Sequence, residues 1–126
     1  MIKLLEKYNK LSWAFVVVMV LIIFYISSLT FPPVPPGINI KAILYHFFAF
    51  FFLAFFLLPA LVKGKKKNLI FIAIILAVLY GISDEFHQLF VPGRVCSFSD
   101  ILADSAGIFL ASFLYVLKLK RKKQGL

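Results

Sequence analysis

Acidic residues and cysteine are scarce in this 126-residue chain, which has five of the first and one of the second. A single cysteine, Cys96, excludes an internal disulfide, and a lone thiol at that place reads as incidental rather than catalytic. Charge of either sign is thin: 15% of residues are charged against 63% hydrophobic, which excludes a soluble domain of this length. There is no internal repeat and no connection long enough to hold a second domain, so residues 1–126 read as one unit.

Long apolar runs fill the space that charge leaves. Those over 11–29, 40–62, 68–91 and 99–117 each approach the ~20 residues that carry a helix across a hydrocarbon core. The expected fold is all-α, a polytopic membrane bundle of four transmembrane helices. A net charge of +9 would point to nucleic acid in a soluble protein, but here the cations sit in tracts flanking the spans, so no nucleic-acid partner is expected. Lys3, Lys7 and Lys10 precede the first span, Lys63, Lys65, Lys66 and Lys67 join the second to the third, and Lys118, Lys120, Arg121, Lys122 and Lys123 follow the fourth. All of these fall on one side of a four-pass thread, leaving Lys41 and Arg94 on the other. The positive-inside rule then puts both termini in the cytoplasm. The first span is too long for a signal-peptide core and no A-x-A-like site follows it, so it is expected to be retained.

Residues 1–10 read as a short amphipathic lead-in at the interface, and Trp13 as an anchor in the first span. Closely spaced prolines in Phe31-Pro32-Pro33-Val34-Pro35-Pro36-Gly37 forbid a regular helix and mark the first outer loop. The second span carries a phenylalanine run from Phe47 to Phe56, suited to lipid and to neighbouring helices. Ala73, Ala77 and Gly81 in the third span, and Ala103, Gly107 and Ala111 in the fourth, form small-residue stripes, which suggests that these two helices pack together.

Both stripes lead toward acids. Asp84, Glu85, Asp100 and Asp104 are four of the five acidic residues, and counted at 1.5 Å per residue Asp84, His87, His46 and Asp104 lie about 6 to 10 Å beneath the outer surface. Ionisable groups at that depth are costly unless they face the bundle interior, water or a partner, which makes them functional candidates. Asp84, His87 and Gln88 share one helix face, as do Asp100 and Asp104. Four carboxyls so close are not expected to be ionised together, leaving a proton to exchange. The catalytic candidates are Asp84, Glu85, His87 and Asp104, and the ligand-binding candidates are His46, Gln88, Arg94, Asp100 and Ser28.

Each has a plainer reading beside it. Ser97-x-x-Asp100 matches a capping box for the fourth helix, and His46 suits a satisfied core histidine. Pro92-Gly93 is a helix stop. Arg94, one of two outer cations beside several acids, is expected to pair with them or with a ligand's anion. Asp84, His87, Asp100 and Asp104 are acceptable metal-ligand types, but no H-E-x-x-H or comparable pair occurs, so no metal ligand is assigned. No spacing marks a nucleophilic triad.

The run Asp84-Glu85-Phe86-His87-Gln88, then Val91-Pro92-Gly93-Arg94, then Phe98-Ser99-Asp100-Ile101-Leu102-Ala103-Asp104-Ser105-Ala106-Gly107, resembles the VanZ-like family of membrane proteins. That family's signature is similar to D-E-x-x-Q-x-x-x-P-G-R followed by S-x-x-D-x-x-x-N/D-x-x-G. Tyr25-x-Ser27-Ser28 and His46-Phe47 add weaker support, and the likeness spans nearly the whole chain. Three positions depart from the pattern: Ile43 stands where Lys is usual, Phe50 where Tyr is frequent, and Asp104 where Asn is frequent. The resemblance implies a polytopic bacterial membrane protein linked to low-level teicoplanin resistance, and it brings no defined reaction or cofactor.

From the residues, the leading expectation is a cell-envelope protein that binds or modifies an anionic lipid-linked headgroup at the outer leaflet. Arg94 would hold the anion, His87 and His46 would donate hydrogen bonds or protons, and Asp84, Glu85 and Asp104 would orient them or act as base. Membrane lipids and a second copy of the chain are the expected partners. Two other readings stand beside it: a non-enzymatic binding or assembly module, and a small proton-coupled transporter.

Overall fold

The computed structural model describes residues 1–33, 35–95 and 97–125, and Cys96 lies outside them. The elements are α1 (Ile2–Lys7), α2 (Asn9–Ser27), α3 (Ile40–Val62), α4 (Leu69–Gln88) and α5 (Phe98–Lys123), with no strand among the described residues. The all-α expectation holds. Helices α2 to α5 are each long and apolar enough to cross a membrane, and the chain is a multi-pass membrane protein.

The span over 40–62 coincides with α3, and the other spans differ at their ends for local reasons. Helix α4 stops at Gln88 rather than Val91, because Pro92 disfavours helical backbone just before it and its missing N–H ends the ladder. Helix α5 continues through the basic tail to Lys123, where cations in the last turn suit the negative end of the helix dipole. The lead-in forms α1, which bends at Tyr8 into α2.

Short connections make successive helices antiparallel. The C-terminal ends of α2 and α4 and the N-terminal ends of α3 and α5 therefore gather at one end of the bundle, the site end. Residues 1–8, the basic α3–α4 connection and the tail of α5 gather at the other, the terminal end.

Helices α3 and α5 form the inner pair, with 44% of the residues in their apolar windows buried, against 22% for α2 and 28% for α4. The contact between them passes through Gly107. A Cβ there would lie 2.2 Å from Phe47 O and 2.9 Å from Phe51 N, so only glycine lets α3's backbone approach so closely. The two striped helices do meet, a Cβ on Gly81 of α4 lying 3.0 Å from Asp104 Oδ2 of α5, but the closest backbone approach is between α5 and α3. Ala73, Ala77 and Gly81 are buried as well, and Gly107 receives the backbone of α3 at Phe47 and Phe51, where a side chain on α5 would collide.

Inside α3, Pro59 removes one donor from the helix ladder. Beside it α2 supplies two others: Ser12 Oγ donates to Phe56 O at 2.8 Å and Asn9 Nδ2 to Ala60 O at 2.6 Å. Tyr80 of α4 donates to Val20 O at 2.8 Å, so α2 is held on both sides by polar bonds across an apolar interface.

Candidate functional site

The site end is built around His46. Asn39 caps α3 by accepting the Ala42 N–H at 3.2 Å, and His46 follows on the buried face, 2% exposed. Its Nδ1 lies 2.8 Å from Asp104 Oδ1, a contact that joins α3 to α5. Its other nitrogen, Nε2, lies 3.7 Å from Glu85 Oε1 and 3.7 Å from Asp100 Oδ2. Three carboxyl groups from two helices thus face one imidazole.

Each acid reaches this place for a local reason. Asp100 and Asp104 are one turn apart on α5. Glu85 sits in the last turn of α4, and the connection after it folds back so that the Ser97 N–H donates to Glu85 Oε2 at 3.1 Å. That bond replaces the expected capping box. Ser97 does occupy the N-cap of α5, but its side chain makes no cap bond and instead pairs with Ser99 Oγ at 2.6 Å. Asp100 is therefore a wall of the His46 site, where the negative carboxyl also faces the positive end of α5.

Asp84 and Gln88 belong to the same buried layer, Gln88 Nε2 donating to Asp84 Oδ2 at 3.3 Å. His87 leaves that layer, although the sequence places it on the same helix face. It is half-buried, stacks on Phe24 with ring centroids 4.8 Å apart, and meets Ser28 Oγ at 3.0 Å. The two histidines consequently occupy different environments: His46 inside the acids, His87 and Ser28 at the rim.

Arg94 follows a turn that only glycine fits. Gly93 has φ +79°, and a Cβ on it would come within 2.8 Å of Thr30 Cγ2, while Thr30 Oγ1 donates to Pro92 O at 2.9 Å. This bond ties the proline loop to the α4–α5 connection. The Arg94 guanidinium lies 4.9 Å from the centre of the Phe31 ring. The expected pairing with acids of the chain is not made: among the described residues, no carboxylate oxygen lies within 4.0 Å of it.

Four buried polar atoms of the described residues have no hydrogen-bond partner: Ser27 Oγ, Tyr45 Oη, Glu85 Oε1 and Asp104 Oδ2. All lie at the site end. A buried polar atom without a partner typically costs about 1–3 kcal/mol, so their concentration in one place is a deliberate expense or an invitation to a ligand. Tyr45 is not among the candidates that the sequence offers, and Ser27 enters there only through the Tyr25-x-Ser27-Ser28 likeness. The signal available for Tyr45 is its place beside His46.

His46, Glu85 and Asp104 each offer a donor atom within 4.8 Å of the other two, all three residues being buried. The sequence offers Asp84, His87, Asp100 and Asp104 as ligand types, whereas the fold brings His46 in place of His87 and adds Glu85.

Two of the three comparisons with known proteins return nothing: no curated protein and no solved structure gives a match. The family model described as VanZ/LLP1 matches residues 12–119, a stretch that includes α3 and α4, most of α2 and α5, and every residue of the His46 site. The chain belongs to the VanZ/LLP1 family.

Proposed function

We propose that the protein binds the anionic headgroup of a lipid-linked envelope precursor at the site end of the bundle. The observation that carries this reading is Arg94. It is a planar cation on a glycine turn, free of any carboxylate within 4.0 Å among the described residues, at the same end as the buried acids. A guanidinium presents donors in a fork that matches phosphate or carboxylate, and an arginine not committed to an internal acid is available for that work. His87 and Ser28 at the rim add hydrogen-bonding groups, and the His46 layer beneath supplies groups able to hold or pass a proton.

In this reading the site end faces outward and the lysine-rich terminal end faces the cytoplasm of a bacterium, as the distribution of cations favours. Resistance to teicoplanin would follow from engagement of a cell-wall precursor. The alternative, that the polar layer only locks four helices together, accounts poorly for four buried atoms with nothing to bond.

The test is lipid mass spectrometry of purified protein, wild type against Arg94→Ala. An anionic lipid-linked species that co-purifies with wild type and falls at least tenfold in the variant supports headgroup binding. Equal lipid in both, at equal protein level, removes it.

A further inference from the structure

The His46 layer poses an electrostatic problem that hydrogen bonding inside the chain does not solve. An ionised carboxylate only accepts, so with Asp104 ionised the 2.8 Å contact to its Oδ1 takes the ring proton on Nδ1. In the neutral imidazole Nε2 is then a bare lone pair, and it faces Glu85 Oε1 and Asp100 Oδ2, two further electron-rich atoms, at 3.7 Å each. Such a separation exceeds a hydrogen bond. It is close to the spacing of two ligands held about 2.1 Å from one shared ion at an angle of roughly 120°.

Glu85 Oε1 is the second, independent observation. The residue is 1% exposed and its other oxygen is engaged by the Ser97 N–H, while Oε1 has no partner and points toward His46 Nε2.

We infer that the protein holds a divalent cation between His46 Nε2 and Glu85 Oε1, with Asp100 Oδ2 3.7 Å from the same nitrogen. Asp104 then acts as a positioning residue, taking the Nδ1 proton and fixing the ring, the usual arrangement behind a metal-bound histidine. One imidazole with carboxylates suits an ion such as Mn²⁺ or Zn²⁺. A divalent charge offsets the carboxyl groups that Arg94 leaves unpaired. With so few protein ligands, the remaining coordination positions go to water or to oxygens of an anionic headgroup. Only that last role rests on the headgroup reading; the cation site stands on its own geometry.

Protein stripped with a chelator and purified in detergent micelles is titrated with MnCl₂, and free Mn²⁺ is read by electron paramagnetic resonance. The scarcity of acids keeps non-specific uptake low. Wild type is expected to take up one ion per chain. His46→Ala and Glu85→Gln are expected to weaken binding at least 100-fold, and Asp104→Asn, whose amide oxygen still accepts the Nδ1 proton, about tenfold. Glu85→Gln keeps an acceptor for the Ser97 N–H, so a monodisperse variant that binds no ion separates ligand loss from unfolding. Wild type that takes up neither Mn²⁺ nor Zn²⁺, or that binds no better than Glu85→Gln, overturns the cation site. A lipid that co-purifies with such ion-free protein keeps the headgroup reading alive alone, whereas Mn²⁺ uptake without any anionic lipid keeps the cation alone.

Discussion

Each end of the bundle brings carboxyl groups together with groups of opposite or complementary character, yet the two ends finish the task differently. At the terminal end Glu6 of α1 accepts from Tyr115 Oη at 2.7 Å and pairs with Lys118, both on α5, while the Gly64 N–H donates to Tyr115 Oη at 3.0 Å. Both oxygens of Glu6 are engaged, and the chain of bonds runs from the α3–α4 connection through α5 to α1. At the site end Glu85 Oε1 and Asp104 Oδ2 are left without partners beside a histidine. A buried polar cluster whose members satisfy one another holds helices in place, and one left incomplete in the same fold is kept for something it binds.

The strongest way to break the comparison is to remove the scaffold both ends share. Gly107→Leu drives a side chain into Phe47 O, 2.2 Å from where its Cβ would stand. Overpacking of this kind typically costs about 1–3 kcal/mol, and a clash with backbone, which cannot rotate away, belongs at the top of that range or above it. The expected outcome is a sharp fall in detergent-stable, monodisperse protein, with ion uptake and lipid retention lost together. Normal yield and thermal stability would mean that α3 and α5 are not held by this contact.

Next in size is the terminal end alone. Glu6→Ala leaves Lys118 without its carboxylate and Tyr115 Oη without its acceptor, a loss of about 1–3 kcal/mol for partly buried groups. Thermal unfolding in nanodiscs is expected to shift down while Mn²⁺ uptake stays as in wild type. A change in ion affinity with no change in stability would erase the division between a structural end and a functional one.

How much of this was legible in the chain follows from the range over which a sequence speaks. Hydropathy and 3.6-residue spacing are local, so the spans and the shared face of Asp100 and Asp104 are readable. The α4 stop at Pro92 was a local signal as well, though read too far along. Which helix meets which is not local. The contacts His46 to Asp104 and Glu6 to Lys118 join residues 58 and 112 positions apart, and nothing in the periodicity of α3 says that its histidine, rather than His87, enters the acids. A single acid among lysines, as Glu6 is, reads as a solvated interface, and a small-residue stripe such as that of Gly107 looks alike whichever helix comes closest to it.

The smallest expected effect on stability is also the most discriminating. Glu85→Gln preserves size and the acceptor for the Ser97 N–H, and it removes a carboxylate from a buried layer that already holds Asp100 and Asp104 around one imidazole. Were the layer a lock like Glu6 and Lys118, deleting a charge would cost stability, because a partner would be stranded. In the ion-free protein Oε1 has no partner to strand, so the substitution is expected to leave stability unchanged or to raise it by up to about 1 kcal/mol. Thermal unfolding with and without Mn²⁺ reads both halves: wild type gains stability with the ion by mass action, and Glu85→Gln does not. A variant less stable than wild type in the absence of ion would show that Glu85 belongs to the scaffold after all, since a group whose removal harms the empty protein was already bonded within it.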